Sequence, residues 1–153
     1  MSLELDGHSL TLRLLADMQA LTSPDLAPAA RKAMDKSAAR VKEVLAGGEA
    51  VYGINTGFGA LAGKRIADED LAALQYNLVR SHAAGVGTPL PASIVRRIML
   101  LKANSLASGA SGVRAILVDA LLALLEHDIV PVIPERGSVG ASGDLSPLAH
   151  LAL

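Results

Sequence analysis

Aromatic side chains are nearly absent from this chain of 153 residues, in which Tyr52, Phe58 and Tyr76 are the only ones. The core must therefore be filled by Leu, Ile, Val and Ala, and hydrophobic residues supply 51% of the sequence. These side chains suit close packing between helices better than packing in a β-sheet, where aromatic and β-branched residues are favoured. We therefore expect a mainly α fold, with at most a short pair of strands near the N-terminus.

The charge and cysteine content exclude several classes of protein. Charged residues make up 19% of the chain and the net charge is −1, so the electrostatic signature of a nucleic-acid-binding protein is missing. The sequence contains no cysteine, which excludes a disulfide scaffold and a thiolate metal site. The first residues lack the regions of a signal peptide, and no apolar run reaches the ~20 residues that span a bilayer. We expect a cytoplasmic protein that binds neither nucleic acid nor a membrane.

Apolar residues recur at three- and four-residue spacing in several segments, and this periodicity predicts α-helices. Proline at a first helical position and glycine after a last one support the boundaries, and Asp68 is predicted to cap one helix. A small strand or hairpin is predicted at residues 3–5 and 9–11, on either side of Gly7. The predicted helices cover about 12–20, 28–46, 69–82, 91–107 and 112–127.

A first glycine-rich segment follows the second helix. Six of the 14 glycines lie between Gly47 and Gly63, and a segment so poor in side chains contributes little to a core. Residues 49–66 are therefore predicted to form a loop whose backbone path matters, with Asn55 and Thr56 structuring it through hydrogen bonds.

A second glycine cluster comes after residues 129–136, which are predicted to be extended because two prolines interrupt them. It consists of Gly137, Gly140 and Gly143. A helix is predicted to start near residue 145 with Asp144 or Ser146 as its cap. No stop signal follows in the sequence, so we expect a chain truncated inside an apolar helix, whose packing partners lie further along the protein.

The tripeptide Ala141-Ser142-Gly143 can carry out a backbone reaction. A tight turn could bring the Gly143 nitrogen onto the Ala141 carbonyl carbon and close a five-membered ring, because neither residue has a side chain that blocks the approach. Loss of two water molecules, one from the closed ring and one carrying the Ser142 hydroxyl, would then yield a 4-methylidene-imidazol-5-one, an electrophile that no standard side chain provides. Glycines at 137 and 140 would allow the strained path. The tripeptide alone, however, is far more often an ordinary loop.

The longer run favours the reactive interpretation. Residues 137–150 read GSVGASGDLSPLAH, which resembles the signature of the aromatic amino acid ammonia-lyases that use this prosthetic group. The runs YGINTGFG at 52–59, SHAAGVG at 81–87 and LKANSL at 101–106 also resemble that family, in order and spacing. Ser146 stands where alanine is more common. The resemblance covers nearly the whole chain and implies the helical N-terminal region of the ammonia-lyase fold.

The resemblance also implies an activity and a set of roles. The reaction would be non-oxidative elimination of ammonia from an aromatic α-amino acid, with the substrate amine adding to the methylidene carbon derived from Ser142. Tyr52 matches the family's tyrosine that removes a β-proton. A phenol with a pKa of about 10 is a weak base at neutral pH, so the site would have to lower that pKa. On the residues alone, Tyr52 can equally be a loop anchor packed on Phe58.

His82 bears on the choice of substrate. Taken alone, a histidine at a helix end is more simply a C-terminal cap. In this family the dipeptide at this place follows substrate class, and Ser81-His82 is typical of the histidine ammonia-lyases, with His82 lining the pocket near the substrate ring. The implied reaction is therefore L-histidine to trans-urocanate. His8, His127 and His150 have no companions at metal-ligand spacing, so we expect no metal and assign them to the surface or to helix caps.

Other interpretations fit less well. Gly57-x-Gly59-x-x-Ala62 formally matches a dinucleotide-binding fingerprint, but no convincing helix starts at 60 and no second strand ends in an acidic residue. A phosphate-binding P-loop fails at Gly63-Lys64-Arg65, and a serine-hydrolase elbow fails because position 144 is Asp.

The serious alternatives lie inside the family. A tyrosine or phenylalanine ammonia-lyase or aminomutase would share the motifs, and the chain could be a piece without turnover. Family members are longer, form homotetramers and build each active site from several subunits. We therefore expect the parent protein to be a homotetramer and this chain alone to be inactive.

Overall fold

The computed structural model describes residues 3–17, 23–140 and 143–153, and within them the chain is mainly α-helical with only short strands, which confirms the expected fold class. The chain divides into two compact units. One contains residues 1–43 and 92–130, and the other contains residues 44–91 and 131–153. The helices are α1 (Leu12–Ala16), α2 (Pro28–Gly47), α3 (Leu71–His82), α4 (Ala92–Ala107), α5 (Ile116–Glu126) and α6 (Ser146–Ala152).

The strands form three separate pairs in the described residues. Two of the pairs are antiparallel and one is parallel. The strands are β1 (Glu4–Leu5) with β2 (Asp25–Leu26), β3 (Val86–Pro89) with β4 (Pro134–Arg136), and β5 (Val139–Gly140) with β6 (Gly143–Asp144). None of the described helices is both long enough and apolar enough to cross a membrane.

The first unit has an aliphatic and methionine core, as the lack of aromatic residues requires. Helices α4 and α5 pack together, and their inward side chains are fully buried. Burial of such a side chain contributes about 1.5–3 kcal/mol. Among the described residues of this unit, the largest fully buried side chains are Leu5 on β1, Met34 on α2, Val95, Met99 and Leu100 on α4, and Val118 on α5.

The predicted hairpin of residues 3–5 with 9–11 is wrong, because β1 pairs with β2 in parallel instead. The Asp6 carboxylate accepts the N–H groups of His8 and Ser9 at 2.8 and 2.7 Å, which turns the chain. Thr11 then caps α1 by accepting the Leu14 N–H at 3.2 Å. Residues 9–11 are therefore committed to a turn and a helix cap.

Two helix boundaries in this unit differ from the prediction. Helix α1 ends at Ala16, and residues 18–20 of the predicted 12–20 helix lie outside the described residues. Helix α5 begins at Ile116, four residues later than predicted. Gly112 has a φ of +70°, outside the helical region, and its N–H donates to Ser37 Oγ at 2.9 Å. That conformation excludes Gly112 from the helix.

The second unit contains α3, α6 and the two antiparallel strand pairs. Asp68 does not cap α3, because Asp68–Asp70 form a 3₁₀ turn and the Asp68 carboxylate accepts instead from Arg65 at 3.2 Å. Only Pro134–Arg136 of the predicted extended segment 129–136 form a strand, and its partner β3 was not expected. Leu90 N–H donates to the carbonyl of Ile133, which is fully buried, at 2.8 Å.

Helix α6 starts at the predicted place. The Asp144 carboxylate accepts the Ser146 N–H at 3.1 Å. The N-cap position is nevertheless Leu145, which makes no side-chain capping bond, so the prediction of Asp144 or Ser146 as the cap is wrong. Ser146 is the first residue of the helix and is 95% buried, and its hydroxyl has no hydrogen-bond partner within the described part of the chain. The helix thus begins with a satisfied backbone N–H beside an unsatisfied hydroxyl.

Candidate active site

The loop that carries Tyr52 is held by one fully buried amide side chain. Asn55 Oδ1 accepts the Val51 N–H at 2.8 Å, and Asn55 Nδ2 donates to the Glu49 carbonyl at 2.8 Å. The Asn55 carbonyl also accepts the Ile66 N–H at 2.9 Å. Asn55 therefore ties both sides of the loop together, as the sequence predicted, and fixes the backbone next to Tyr52.

Further contacts close the same loop. Thr56 is buried and bridges to Arg65, and the Gly57 N–H donates to the Lys64 carbonyl at 3.1 Å. The rings of Tyr52 and Phe58 meet edge to face, with centroids 5.8 Å apart and planes at 68°. This is a favourable aromatic geometry. Tyr52 is nevertheless 64% exposed, so its phenol is open to reactants while its ring is supported.

His82 is the last residue of α3 and is bound through one ring nitrogen. His82 Nδ1 lies 2.8 Å from the Leu78 carbonyl and 3.1 Å from Ser81 Oγ. Ser81 Oγ itself donates to the same carbonyl at 2.9 Å. Because a carbonyl only accepts, Nδ1 must carry the hydrogen, and the neutral ring then keeps the lone pair on Nε2. The imidazole thus offers an acceptor at Nε2 in a fixed orientation.

The structure brings Tyr52 and His82 to the same cleft. The cleft has a volume of about 340 Å³, within the range typical of small-molecule sites. Among the described residues that line it, only Tyr52 and His82 have polar side chains. The lining residues are Tyr52, Phe58, Leu78, Val79, His82, Leu145, Leu148 and Ala149.

The predicted reactive tripeptide is described only in part. Ala141 and Ser142 lie outside the described residues, and Gly143 is not among the residues that line the cleft. Gly143 has a φ of +104° and pairs with Gly140 across β5 and β6. The Asp144 carboxylate lies so close to Gly137 that a side chain there would overlap it. Leu145, which follows on the chain, belongs to the cleft wall.

One histidine has a role that the sequence interpretation missed. His150 was assigned to the surface or to a cap, but it is half-buried on α6 and its Nε2 accepts the Gly85 N–H at 2.9 Å. Its four-residue spacing from Ser146 places both side chains on one helix face, and that spacing was the available signal. Over the described residues, no three His, Cys, Asp or Glu side chains converge as a metal site.

Comparisons with known proteins agree with this arrangement. The family model described as aromatic amino acid lyase matches residues 10–153. The chain is 58% identical to a histidine ammonia-lyase of Anaeromyxobacter sp. (strain K), covering 99% of this chain and 30% of that protein. The chain therefore spans less than a third of the length of that curated relative.

Solved structures give the same result. The crystal structure of histidine ammonia-lyase from Trypanosoma cruzi superposes with a TM-score of 0.88 at 37% identity, covering 100% of this chain and 29% of that one. An ergothioneine-degrading enzyme from Treponema denticola superposes with a TM-score of 0.92 at 30% identity, covering 100% of this chain and 31% of that one. Because the family model matches nearly the whole of this chain, the chain belongs to the aromatic amino acid lyase family.

Proposed function

We propose that the complete protein containing this chain eliminates ammonia from L-histidine to give trans-urocanate. The observation that carries the proposal is the position of His82, whose Nδ1 lies 3.1 Å from Ser81 Oγ, on the wall of a cleft that Tyr52 also lines. The relatives named as histidine ammonia-lyases support the choice of substrate. Residues 1–153 would be the N-terminal region that bears the prosthetic group, in a cytoplasmic homotetramer.

The residues around Ala141-Ser142-Gly143 fit a 4-methylidene-imidazol-5-one. A ring closing on the Gly143 nitrogen needs a bent backbone, and Gly143 has the positive φ that glycine readily adopts. The antiparallel pairing of Gly140 with Gly143 draws together the two strands that flank Ala141 and Ser142. Apart from the chain neighbours of Gly143, no atom of the described residues lies within 4 Å of the place where a Gly143 side chain would begin, so this face of the residue would be open to a substrate. When present, the group supplies an electrophile for the amino group of the substrate.

Tyr52 would act as the base that removes the β-proton. The phenol is exposed to the cleft, and the Asn55 hydrogen bonds to Glu49 and Val51 hold the backbone that carries it. The edge-to-face contact with Phe58 limits rotation of the ring. A base held in one orientation removes a proton more efficiently than a mobile one, because the geometry of the transition state is already set.

His82 would recognise the substrate ring. With Nδ1–H bound to the Leu78 carbonyl, Nε2 can accept the N–H of an imidazole substrate. A phenylalanine ring has no such donor and would leave this acceptor unpaired in an apolar cleft, which costs about 1–3 kcal/mol. The hydrogen bond therefore favours L-histidine over phenylalanine.

The test is the substrate profile of the complete protein. L-Histidine, tyrosine and phenylalanine are compared by kcat/KM, with ammonia release as the common readout. We expect L-histidine to be preferred and urocanate to be the product. Preference for tyrosine or phenylalanine would overturn the substrate and leave the family intact, whereas failure to release ammonia from any of them would overturn the proposed activity.

A further inference from the structure

The strongest feature outside the catalytic roles is the contact between α6 and the turn that follows α3. Here Gly85 N–H donates to His150 Nε2 at 2.9 Å, in a half-buried position. A side chain on Gly85 would begin 3.0 Å from His150 Nε2 and 2.9 Å from Ser146 Oγ. A side chain at 85 would therefore have to displace the Ser146 hydroxyl and the His150 ring, and with glycine there the imidazole is the polar partner of the backbone. We call Gly85, Ser146 and His150 the α3–α6 junction.

The α3–α6 junction connects the two walls of the cleft. His82 lies three residues before Gly85, and the Ala83 and Ala84 N–H groups bond back to the carbonyls of Val79 and His82 at 3.0 and 2.9 Å. The backbone of Ala83 and Ala84 is thus hydrogen-bonded to the end of α3, directly before Gly85. On the other side, Leu148 and Ala149 line the cleft immediately before His150 on α6.

The proton arrangement at His150 follows from its partner. A backbone N–H only donates, so Nε2 must accept, which requires a neutral imidazole with its hydrogen on Nδ1. An imidazolium has no lone pair on Nε2 and cannot make this bond. The hydrogen bond of the α3–α6 junction therefore forms only when His150 is neutral and carries its ring hydrogen on Nδ1.

We propose that His150 is a positioning residue, which holds Gly85 and thereby keeps His82 at the correct distance from the α6 wall of the cleft. This inference rests on the proposed function, because His82 must bind the substrate ring for its position to matter. Loss of the junction should weaken substrate binding more than the chemical step, since His82 contacts the ring rather than the reacting atoms. KM should then rise while kcat changes little.

The test compares His150→Gln, His150→Asn and His150→Leu in the complete protein. Gln Oε1 lies as many bonds from Cα as His Nε2 and can accept the Gly85 N–H, whereas Asn is polar but one bond too short and Leu has no acceptor. We expect Gln to retain the wild-type KM for L-histidine within about twofold. Asn and Leu should raise KM about tenfold, because the loss of one hydrogen bond changes a binding constant by about this factor. His127→Leu is the matched control, because His127 is an exposed histidine that also lies at a helix end.

Hydrogen exchange at the Gly85 amide measures the junction independently of activity. The amide should exchange about tenfold faster in His150→Leu than in wild type, and Gln should restore its protection. The positioning role would be overturned if kcat fell at unchanged KM in all three variants. It would also be overturned if His150→Leu kept both the protection of the Gly85 amide and the wild-type KM. If the wild-type protein fails to act on L-histidine, the proposed function fails, and equal Gly85 exchange in wild type and His150→Leu would separately overturn the junction.

Discussion

The buried amide of Asn55 offers a sharp test of how the Tyr52 loop is held. Asn55→Ala removes two hydrogen bonds of 2.8 Å, one from Val51 N–H and one to the Glu49 carbonyl, from a side chain that is fully buried. Each bond contributes about 0.5–1.5 kcal/mol net, so the loop should lose about 1–3 kcal/mol. That loss increases the population of the opened loop by about 5- to 150-fold.

Hydrogen exchange in the complete protein measures this opening directly. The Ile66 amide, which bonds to the Asn55 carbonyl across the loop, should exchange faster by the same factor. Turnover should fall as well, because a misplacement of about 1 Å can cost about 10²-fold. Asn77→Ala is the matched control, since Asn77 is exposed on α3. Exchange at Ile66 within twofold of wild type would refute the reasoning.

Asn55→Asp tests the same site by charge. The acceptor to Val51 N–H is kept, but an oxygen replaces the amide that donated to the Glu49 carbonyl. Burial and the facing carbonyl raise the pKa of the new carboxyl group in the folded state. A raised folded pKa means that stability is highest below the unfolded value of about 3.9 and is lost as pH rises through the folded pKa. The melting temperature of this variant, measured relative to wild type, should therefore be lower at neutral pH than at acidic pH.

The remaining predictions concern four other residues. Tyr52→Phe should reduce kcat about 10²–10⁴-fold with the fold retained; a change of only a few-fold would mean that Tyr52 serves as a loop anchor. Intact mass spectrometry of the mature protein should detect the loss of two water molecules. Ser142→Ala should abolish both this loss and the activity, and a variant that still loses the two waters would contradict the proposed ring. Ser146→Ala removes a buried hydroxyl without a partner in the described residues, so thermal or denaturant unfolding should show a gain of about 1 kcal/mol, and a loss would reveal a hidden partner. The N–H groups of Ser9 and His8 lower the pKa of Asp6 to about 2. The stability that this turn contributes is therefore present above the ordinary carboxyl pKa and is lost as pH falls through about 2. An NMR titration of Asp6 with a midpoint near 4 would contradict this prediction.

Local patterns in the sequence were sufficient to locate the helices, although not all of their ends. Periodic apolar residues, Pro28 and the Gly47-Gly48 pair located α2 to within a residue at its end, and the start of α6 was predicted within a residue of Ser146. These features depend on residues within one or two turns of each other. The short strands β1 and β2 pair across about twenty residues. The local sequence of a two-residue strand does not predict which other strand it will pair with.

For the candidate site, the sequence by itself determined which residues to propose for the chemistry, since Tyr52, His82 and the Ala141-Ser142-Gly143 run stand in motifs that resemble one family. Only the tertiary structure decided that Tyr52 and His82 share a cleft and that the Leu78 carbonyl leaves Nε2 of His82 as the acceptor. It also decided that His150 binds the Gly85 N–H, 65 residues away along the chain. The physical reason is that hydrogen-bond partners and protonation states depend on distances between atoms. Those distances are set by packing between segments that are remote in sequence.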